Sequence, residues 1–417
     1  GQSEIFLMFN AIILDFYKKK YLRRLYIAKY GQLKCRNRIN MYIPQYQLNN
    51  LRDLITSGKV VVIYGPRRVG KTTLIRKFMQ EVHEDVLFVN GDDIIVQEYL
   101  GSQSINKLKD FVGGHSLMIV DEAQYVKNIG LNLKLIVDHN PELKIIATGS
   151  SSFDLAKDVG EPLTGRKSMV KMFPLAQMEI SSIEKIHETR ANLESRLISG
   201  SYPEVVLMED NRRREEYLRE IISSYLFKDI LELEGIRHAD KLVRLLQLIA
   251  FQIGKEVSLT ELGKQLGMSK NTVERYLDLL EKVFVLFRLG GFSRNLRKEV
   301  TKNSRYFFYD NGIRNALIGN FNPVNLRNDV GELWENYIIG ERRKRREYLR
   351  ETSQHWFWRT YDKKEIDLIE EKQGRLCGYE IKWSKNRVKV PGDWARGYPG
   401  AGYELITKEN YLDFIQK

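Results

Sequence analysis

The sequence predicts a multidomain α/β chain built around a parallel sheet, and three observations carry that prediction. A β-branched run, Val60–Tyr64, leads directly into Gly65-Pro66-Arg67-Arg68-Val69-Gly70-Lys71-Thr72 and then into a helical pattern over Thr73–Val82. Short apolar runs then alternate with amphipathic stretches as far as Ser151, the signature of parallel strands joined by helical crossovers. Beyond that point the pattern changes twice, first to clustered helices and then to charged strands. A length of 417 residues leaves room for two to four domains.

The elements follow in order. Gln47–Ser57 reads as a short helix entering the first strand, Val60–Tyr64. Val86–Asn90 is a second strand and Ile105–Val112 a helix. Leu117–Val120 is a third apolar run, ending in Asp121-Glu122. Leu131–Asp138 reads as a helix and Leu143–Thr148 as a strand closed by Gly149-Ser150-Ser151. Leu193–Val206 is interrupted by Gly200-Ser201-Tyr202-Pro203, a helix break, and Arg212–Leu233 reads as one long charged amphipathic helix.

Bulk properties narrow the partners. The net charge of +13 favours an acidic partner, with nucleic acid first and an anionic membrane surface second. Cys35 and Cys377 are far apart and lack partner histidine spacing, which argues against a disulfide framework or zinc site and fits a reducing cytoplasm. No apolar run reaches the length of a membrane span, and the basic cluster Lys18-Lys19-Lys20 follows the apolar Ile5–Phe16 rather than preceding it, the wrong order for a secretory signal. Residues 1–40 read as an upstream extension or appended helix, with an amphipathic membrane-surface helix as the functional alternative.

Strand, glycine-bounded loop, lysine and helix in that order form a phosphate-binding loop. The backbone of Gly65, Pro66, Arg67, Arg68, Val69, Gly70, Lys71, Thr72 and Thr73 would cradle an anion at the helix N-terminus. Lys71 would reach the β- and γ-phosphates, and the Thr72 hydroxyl would hold Mg²⁺. Asp121 is delivered to the carboxyl end of a strand, where it would bind the same Mg²⁺, mostly through water, and Glu122 would orient the attacking water. Ser150 would contact that water or the γ-phosphate, although a serine-rich turn would look the same. ATP is the expected nucleotide, with GTP as the alternative.

The runs GPRRVGKTT, MIVDEAQ, IIATGSS, LTGR and FPLAQMEI together resemble a family of prokaryotic AAA-superfamily ATPases, with the resemblance extending from about Met41 to the C-terminus. It implies a P-loop NTPase fold of the AAA/ASCE type over residues 41–235 with a helical lid, and a site often completed by a neighbouring subunit, hence a homo-oligomer. It also makes Arg166 a γ-phosphate sensor or arginine finger, against the plainer reading of a surface arginine after a glycine turn. Family members carry a GGYP-like turn where this chain has Gly200-Ser201-Tyr202-Pro203.

Residues 236–325 have a different organisation. Lys241–Ile253 is helical, Val257–Leu262 opens a second helix, and Ser269–Val283 is a third, capped by Ser269. Val283–Leu289 and Arg305–Tyr309 read as paired strands. The whole resembles a winged helix-turn-helix, whose exposed positions would be Lys270, Asn271, Thr272 and Arg275, with Arg294, Arg297 and Lys298 on the wing. DNA is the favoured partner, and protein docking is the alternative.

In residues 326–417, Gly331–Glu341 reads as an amphipathic helix running into the basic cluster Arg342–Arg346. Trp356–Arg359, Glu365–Ile369 and Gly378–Trp383 read as strands. Glu380 and Lys382 share a strand face because the side-chain period is two. Asp367 on a neighbouring strand would share a divalent cation with Glu380, and Lys382 would stabilise phosphorane charge. This Asp…Glu-x-Lys order resembles the PD-(D/E)xK nuclease superfamily, which implies a second divalent cation and a helix acid at Glu335, or else Glu332. Domains of that superfamily often lose catalysis and keep nucleic-acid binding.

Overall fold

The computed structural model describes residues 42–150, 163–226, 239–293, 304–360, 362–384 and 387–416. The expectations for residues 1–40 and for Arg294, Arg297 and Lys298 lie outside the described residues.

Five strands form a parallel sheet: β1 (Val60–Tyr64), β2 (Val86–Asn90), β3 (Leu117–Asp121), β4 (Lys144–Gly149) and β5 (Lys167–Lys171). Their order is β2-β3-β4-β1-β5, so β4 lies between the strand leading to the glycine loop and the strand carrying Asp121. β1 and β3 are buried along their whole length, which is why each reads as an unbroken apolar run. The α/β fold with a parallel central sheet is as expected. The helix after the loop spans Lys71–Met79, two residues earlier than the apolar period suggested, so Lys71 and Thr72 sit in its first turn. Helix Ile94–Leu100 and edge strand β5 were not anticipated.

The second sheet has seven strands: β6 (Glu256–Val257), β7 (Leu286–Gly291), β8 (Ser304–Phe308), β9 (Gln354–Arg359), β10 (Glu365–Lys372), β11 (Arg375–Ile381) and β12 (Gly402–Ile406), in the order β12-β11-β10-β9-β7-β8-β6. The junction is a parallel pairing of β7 with β9, Gly290 opposite Trp356 and Gly291 opposite Phe357. One continuous sheet therefore runs from the three-helix region (Ala239–Phe251, Leu259–Leu266, Lys270–Lys282) into the C-terminal region. Ser258 and Ser269 cap the second and third of these helices through their side-chain oxygens.

Two helix expectations need correction. Within the charged stretch expected as one helix over Arg212–Leu233, Asn211–Glu220 is α-helical and Ile221–Leu226 is a π-helix, while residues 227–233 lie outside the described residues. The basic cluster Arg342–Arg346 lies inside a single 19-residue helix, Val330–Tyr348, and three of its cations turn inward. Arg342 grips Glu370 with two hydrogen bonds of 2.9 Å, Lys344 pairs with Glu341 at 2.9 Å and Arg345 with Glu351 at 2.9 Å. Partners scattered over the fold cancel a charge run that looks solvent-facing in sequence. The carboxyl of Glu370 is held down at about 2, because His355 and Arg342 outweigh the cost of burying it.

Helix Leu193–Ser199 and helix Pro203–Leu207 flank the Gly200–Tyr202 turn. This turn is fastened to the helix that follows β8, Asn311–Leu317, and to Asp310 at its N-cap. Ser201 N–H donates to Asp310 Oδ2 at 2.6 Å, and a Cβ on Gly200 would lie 2.0 Å from Asp310 Oδ1. Asn315 donates to the carbonyls of Leu197 (3.0 Å) and Ile198 (2.8 Å).

Candidate functional site

The glycine loop closes on its surroundings with no room to spare. A Cβ on Gly65 would come 2.1 Å from the Met172 carbonyl oxygen, and Gly70 has φ +95° with Gln45 Nε2 2.9 Å from where its Cβ would stand. These two positions require glycine on steric grounds. Gln45, a residue absent from the expected site, steadies the loop by donating to Val69 O at 2.8 Å. Lys71 is buried, and its ammonium donates to the Gly65 and Pro66 carbonyls, both at 2.9 Å.

The strand order brings the acidic half of the site alongside. Thr72 Oγ1 donates to Asp121 Oδ2 at 2.8 Å, and the Thr148 hydroxyl donates to Asp121 Oδ1. Glu122 stands in the left-handed region (φ +51°) just past β3, its N–H donating to Thr148 Oγ1 at 3.1 Å. Ser150 is buried at the end of β4 and accepts from Gln124 Nε2 at 3.2 Å. A cavity of 520 Å³ opens over the loop, and its lining combines Arg67, Arg68, Lys71, Thr72 and Glu122 with the apolar Ile43, Leu175, Pro203 and Leu207. Cations and a helix N-terminus together with apolar wall suit a nucleoside polyphosphate. Thr72 and Asp121 fit a hard divalent cation, with a hydroxyl and a carboxylate in contact beside the loop.

Arg166, expected as a γ-phosphate sensor or arginine finger or else as a surface arginine after a glycine turn, stands apart from the loop of its own chain. Its carbonyl accepts from Val60 N–H at 2.9 Å, so it stands at the amino edge of the sheet, while the loop follows the carboxyl end of β1. Five residues of strand, about 16 Å, separate the two. Its guanidinium pairs with Asp138.

The C-terminal residues also converge. Lys382, one residue past β11, reaches Asp367 Oδ2 at 3.0 Å and Glu380 Oε1 at 2.8 Å, and Ile381 N–H donates to Asp367 Oδ2 at 2.8 Å. Of the two helix acids, Glu335 belongs to the cluster. Burial, then the neighbouring Asp367 charge, pushes its carboxyl well up. Glu332 pairs instead with Lys255 at 3.9 Å. Arg305 on β8 enters the same cleft, 3.5 Å from Glu335 and 2.7 Å from Glu365, its guanidinium 4.5 Å above the Phe357 ring. The cleft measures 490 Å³ and is walled by Arg305 of β8, Glu365 of β10, Lys382 just past β11 and Glu335 of the helix Val330–Tyr348. Among the described residues no group of three His, Cys, Asp or Glu is spaced to hold a metal ion. Glu380 Oε2 is buried without a hydrogen-bond partner, but Lys382 and Arg305 already meet the charge of the cluster. As arranged, the cluster does not fit the expected second cation, and no step is routed through one.

On the third helix of residues 239–293, Lys270, Asn271 and Arg275 are exposed and Thr272 is half-buried, its hydroxyl 2.9 Å from Ser269 Oγ. Glu274 and Asp278 share the exposed side with them.

Residues 57–181 match the family model described as an AAA domain. Residues 190–324 and 330–390 match models described as domains of unknown function, DUF8612 and DUF4143. The chain therefore carries an AAA-family domain followed by two regions whose families are defined without a function. An uncharacterized protein of Mycobacterium tuberculosis is 26% identical over 338 residues, 80% of this chain and 72% of that one. One of Haemophilus influenzae is 27% identical over 361 residues, covering 80% and 85%, and one of Methanocaldococcus jannaschii 24% over 312 residues, covering 69% and 67%. Among solved structures, the Thermotoga maritima RuvB Holliday junction branch migration motor is 16% identical over 59% of this chain and 90% of that one, with a TM-score of 0.31. The replication initiator DnaA bound to AMPPCP and single-stranded DNA is 18% identical over 58% and 90%, also with a TM-score of 0.31. Likenesses this weak carry nothing further, and the fold rests on the strand order. No helix among the described residues is long and apolar enough to cross a membrane.

Proposed function

We propose that this protein binds and hydrolyses ATP and acts on nucleic acid through a winged helix and a nuclease-like C-terminal region. The observation that carries the ATPase reading is the contact of Thr72 with Asp121, beside Glu122 and beneath a cavity floored by the glycine loop. The loop N–H groups and Lys71 would bind the phosphates, exchanging the Lys71 contacts with loop carbonyls for phosphate oxygens. Thr72 and Asp121 would hold Mg²⁺, which neutralises charge on the β- and γ-phosphates. Glu122 would orient the attacking water and take its proton. Arg166 could serve as an arginine finger only toward the site of a neighbouring subunit.

The nucleic-acid reading is supported by the +13 charge and by exposed Lys270, Asn271 and Arg275 at the start of a Ser269-capped helix. A route from nucleotide to C-terminal regions is supported by one short chain of bonds. Pro203 and Leu207 line the cavity, and Ser201, two residues before Pro203, is tied to Asp310. Nucleic-acid affinity should therefore differ between ATP, ADP and no nucleotide and should fall with salt. Three equal affinities would refute the coupling, and salt-insensitive binding would refute phosphate contact.

A second reading is a nucleotide-gated switch whose C-terminal region is catalytically silent. It is favoured by Lys382 and Arg305 pairing directly with the acids of the cleft. Strand cleavage with Mg²⁺ or Mn²⁺, lost in Asp367→Ala and Lys382→Ala, would restore the nuclease reading. No cleavage of duplex, single-stranded, branched or RNA substrates would leave the switch.

A further inference from the structure

We infer that Gln124 is a positioning residue for the hydrolytic step, its amide holding the carboxylate of Glu122, which lines the cavity, and bridging it to Ser150. The inference rests on the ATPase reading above. Gln124 Nε2 donates to Glu122 Oε2 at 2.5 Å and to Ser150 Oγ at 3.2 Å. The amide can face these partners in one orientation only. A glutamate carboxylate accepts and does not donate, so the NH₂ must point toward it. The carbonyl Oε1 is left buried without a hydrogen-bond partner, a cost that the fold tolerates to keep this orientation.

The backbone explains how residue 124 comes to reach residue 122. Glu122 has φ +51°, and a single 3₁₀ turn, Ala123–Tyr125, follows it at once. The turn folds the Gln124 side chain back over the carboxylate two residues earlier. It is also pinned at its far end, where Arg67 of the glycine loop donates to the Tyr125 hydroxyl at 3.1 Å. Glu122 is thus fixed from three sides: its N–H by Thr148, its carboxylate by Gln124, and the turn beyond it by the loop that would hold phosphate. The hydrogen bonds form an unbroken chain from Thr72 through Asp121, Thr148, Glu122 and Gln124 to Ser150. A base that must sit within hydrogen-bond reach of one water gains its effect from such placement.

The test measures ATP turnover and ATP affinity in the full-length chain with Mg²⁺, comparing wild type with Gln124→Ala and with the near-isosteric Gln124→Glu. Gln124→Ala is expected to lower kcat by about 10- to 100-fold with KM and ATP affinity unchanged, the cost of a misplaced group. Gln124→Glu keeps the size of the side chain but replaces the donor with a second acceptor, so its kcat should fall as well with ATP affinity unchanged. The inference is overturned if kcat in both variants equals wild type, if kcat rises, which would mean that Gln124 restrains Glu122, or if ATP affinity falls in step with kcat. A wild-type chain that binds ATP without turning it over would refute the ATPase reading itself, and this inference with it.

Discussion

The chain builds two acidic sites, each with its own lysine, and they balance charge in opposite ways. At the glycine loop, neutral groups bond to both the lysine and the acid. Lys71 is bonded to neutral carbonyls, and Asp121 is held by the hydroxyls of Thr72 and Thr148. In the C-terminal cleft the cations sit directly on the acids: Lys382 on Asp367 and Glu380, Arg305 on Glu335 and Glu365. Burial pulls the Lys382 ammonium down, but the two carboxylates outweigh it and hold it above its ordinary value. Hydroxyls and carbonyls meet charged groups in the first site, whereas cations meet the acids of the second, which has largely completed its own charge balance.

The sharpest way to break this contrast is to remove each lysine in turn. Lys71→Ala should lower ATP turnover by about 100-fold or more, since it removes a cation aimed at developing phosphate charge. Its effect on thermal unfolding should be small, because the loop carbonyls that it leaves can be met by water. Lys382→Ala should do the reverse. ATP turnover should stay near wild type, while chemical denaturation should show a loss of about 2–3 kcal/mol, because two largely buried carboxylates lose their counter-charge. Equal effects of the two changes on turnover would end the distinction.

Next in size is the fastening between the two halves. Asp310 accepts from Ser201 N–H and from Ile313 N–H, the latter at 3.1 Å, and burial raises its carboxyl above the usual range. Asp310→Ala should cost about 2–4 kcal/mol in equilibrium unfolding, because both donors stay buried without an acceptor. No loss would mean that the turn is held by packing alone.

A smaller effect concerns Glu179, which joins two helix starts by accepting from Tyr46 N–H at the head of Gln47–Leu54 and from Ala176 N–H at the head of its own helix, both at 2.8 Å. Burial raises its carboxyl from the ordinary 4.5 to about 7, against the pull of those two N–H groups. The folded state therefore binds this proton more tightly than the unfolded state. The contribution is full below pH 4.5 and is lost as pH rises to about 7. Melting temperatures compared between pH 5 and pH 8 should show Glu179→Gln gaining on wild type as pH rises. A constant difference would mean that Glu179 titrates normally. The smallest expected effect belongs to Arg166→Ala, which should leave ATP affinity unchanged in titration calorimetry. A weaker affinity would return Arg166 to the site of its own chain.

What could be read in the sequence was local. β1 and β3 are contiguous runs whose burial on both faces leaves a continuous apolar pattern, and the order of loop, Lys71 and then Asp121-Glu122 led to the candidate site. The Glu-x-Lys pair was legible for the same reason, since strand period alone puts Glu380 and Lys382 together. What could not be read depends on which distant elements meet. The edge of the sheet on which Arg166 falls follows from the pairing of β5 with β1. The inward turn of Arg342, Lys344 and Arg345 follows from acids supplied by other elements and by their own helix. The arrival of Arg305 in the C-terminal cleft follows from the pairing of β7 with β9, two glycines opposite two aromatic residues with no local signal. Gln124 lies between these cases. It stands two residues from a recognised acid, but only the left-handed backbone at Glu122 turns it back over that carboxylate.

The most direct measurement is MgATP hydrolysis and ATP binding by the intact chain and by Glu122→Gln. If Thr72, Asp121 and Glu122 form a hydrolytic site, wild type turns ATP over, and Glu122→Gln binds it with similar affinity while turning it over about 100-fold or more slowly. Turnover that survives Glu122→Gln unchanged, or a wild-type chain that fails to bind ATP, would contradict that assignment.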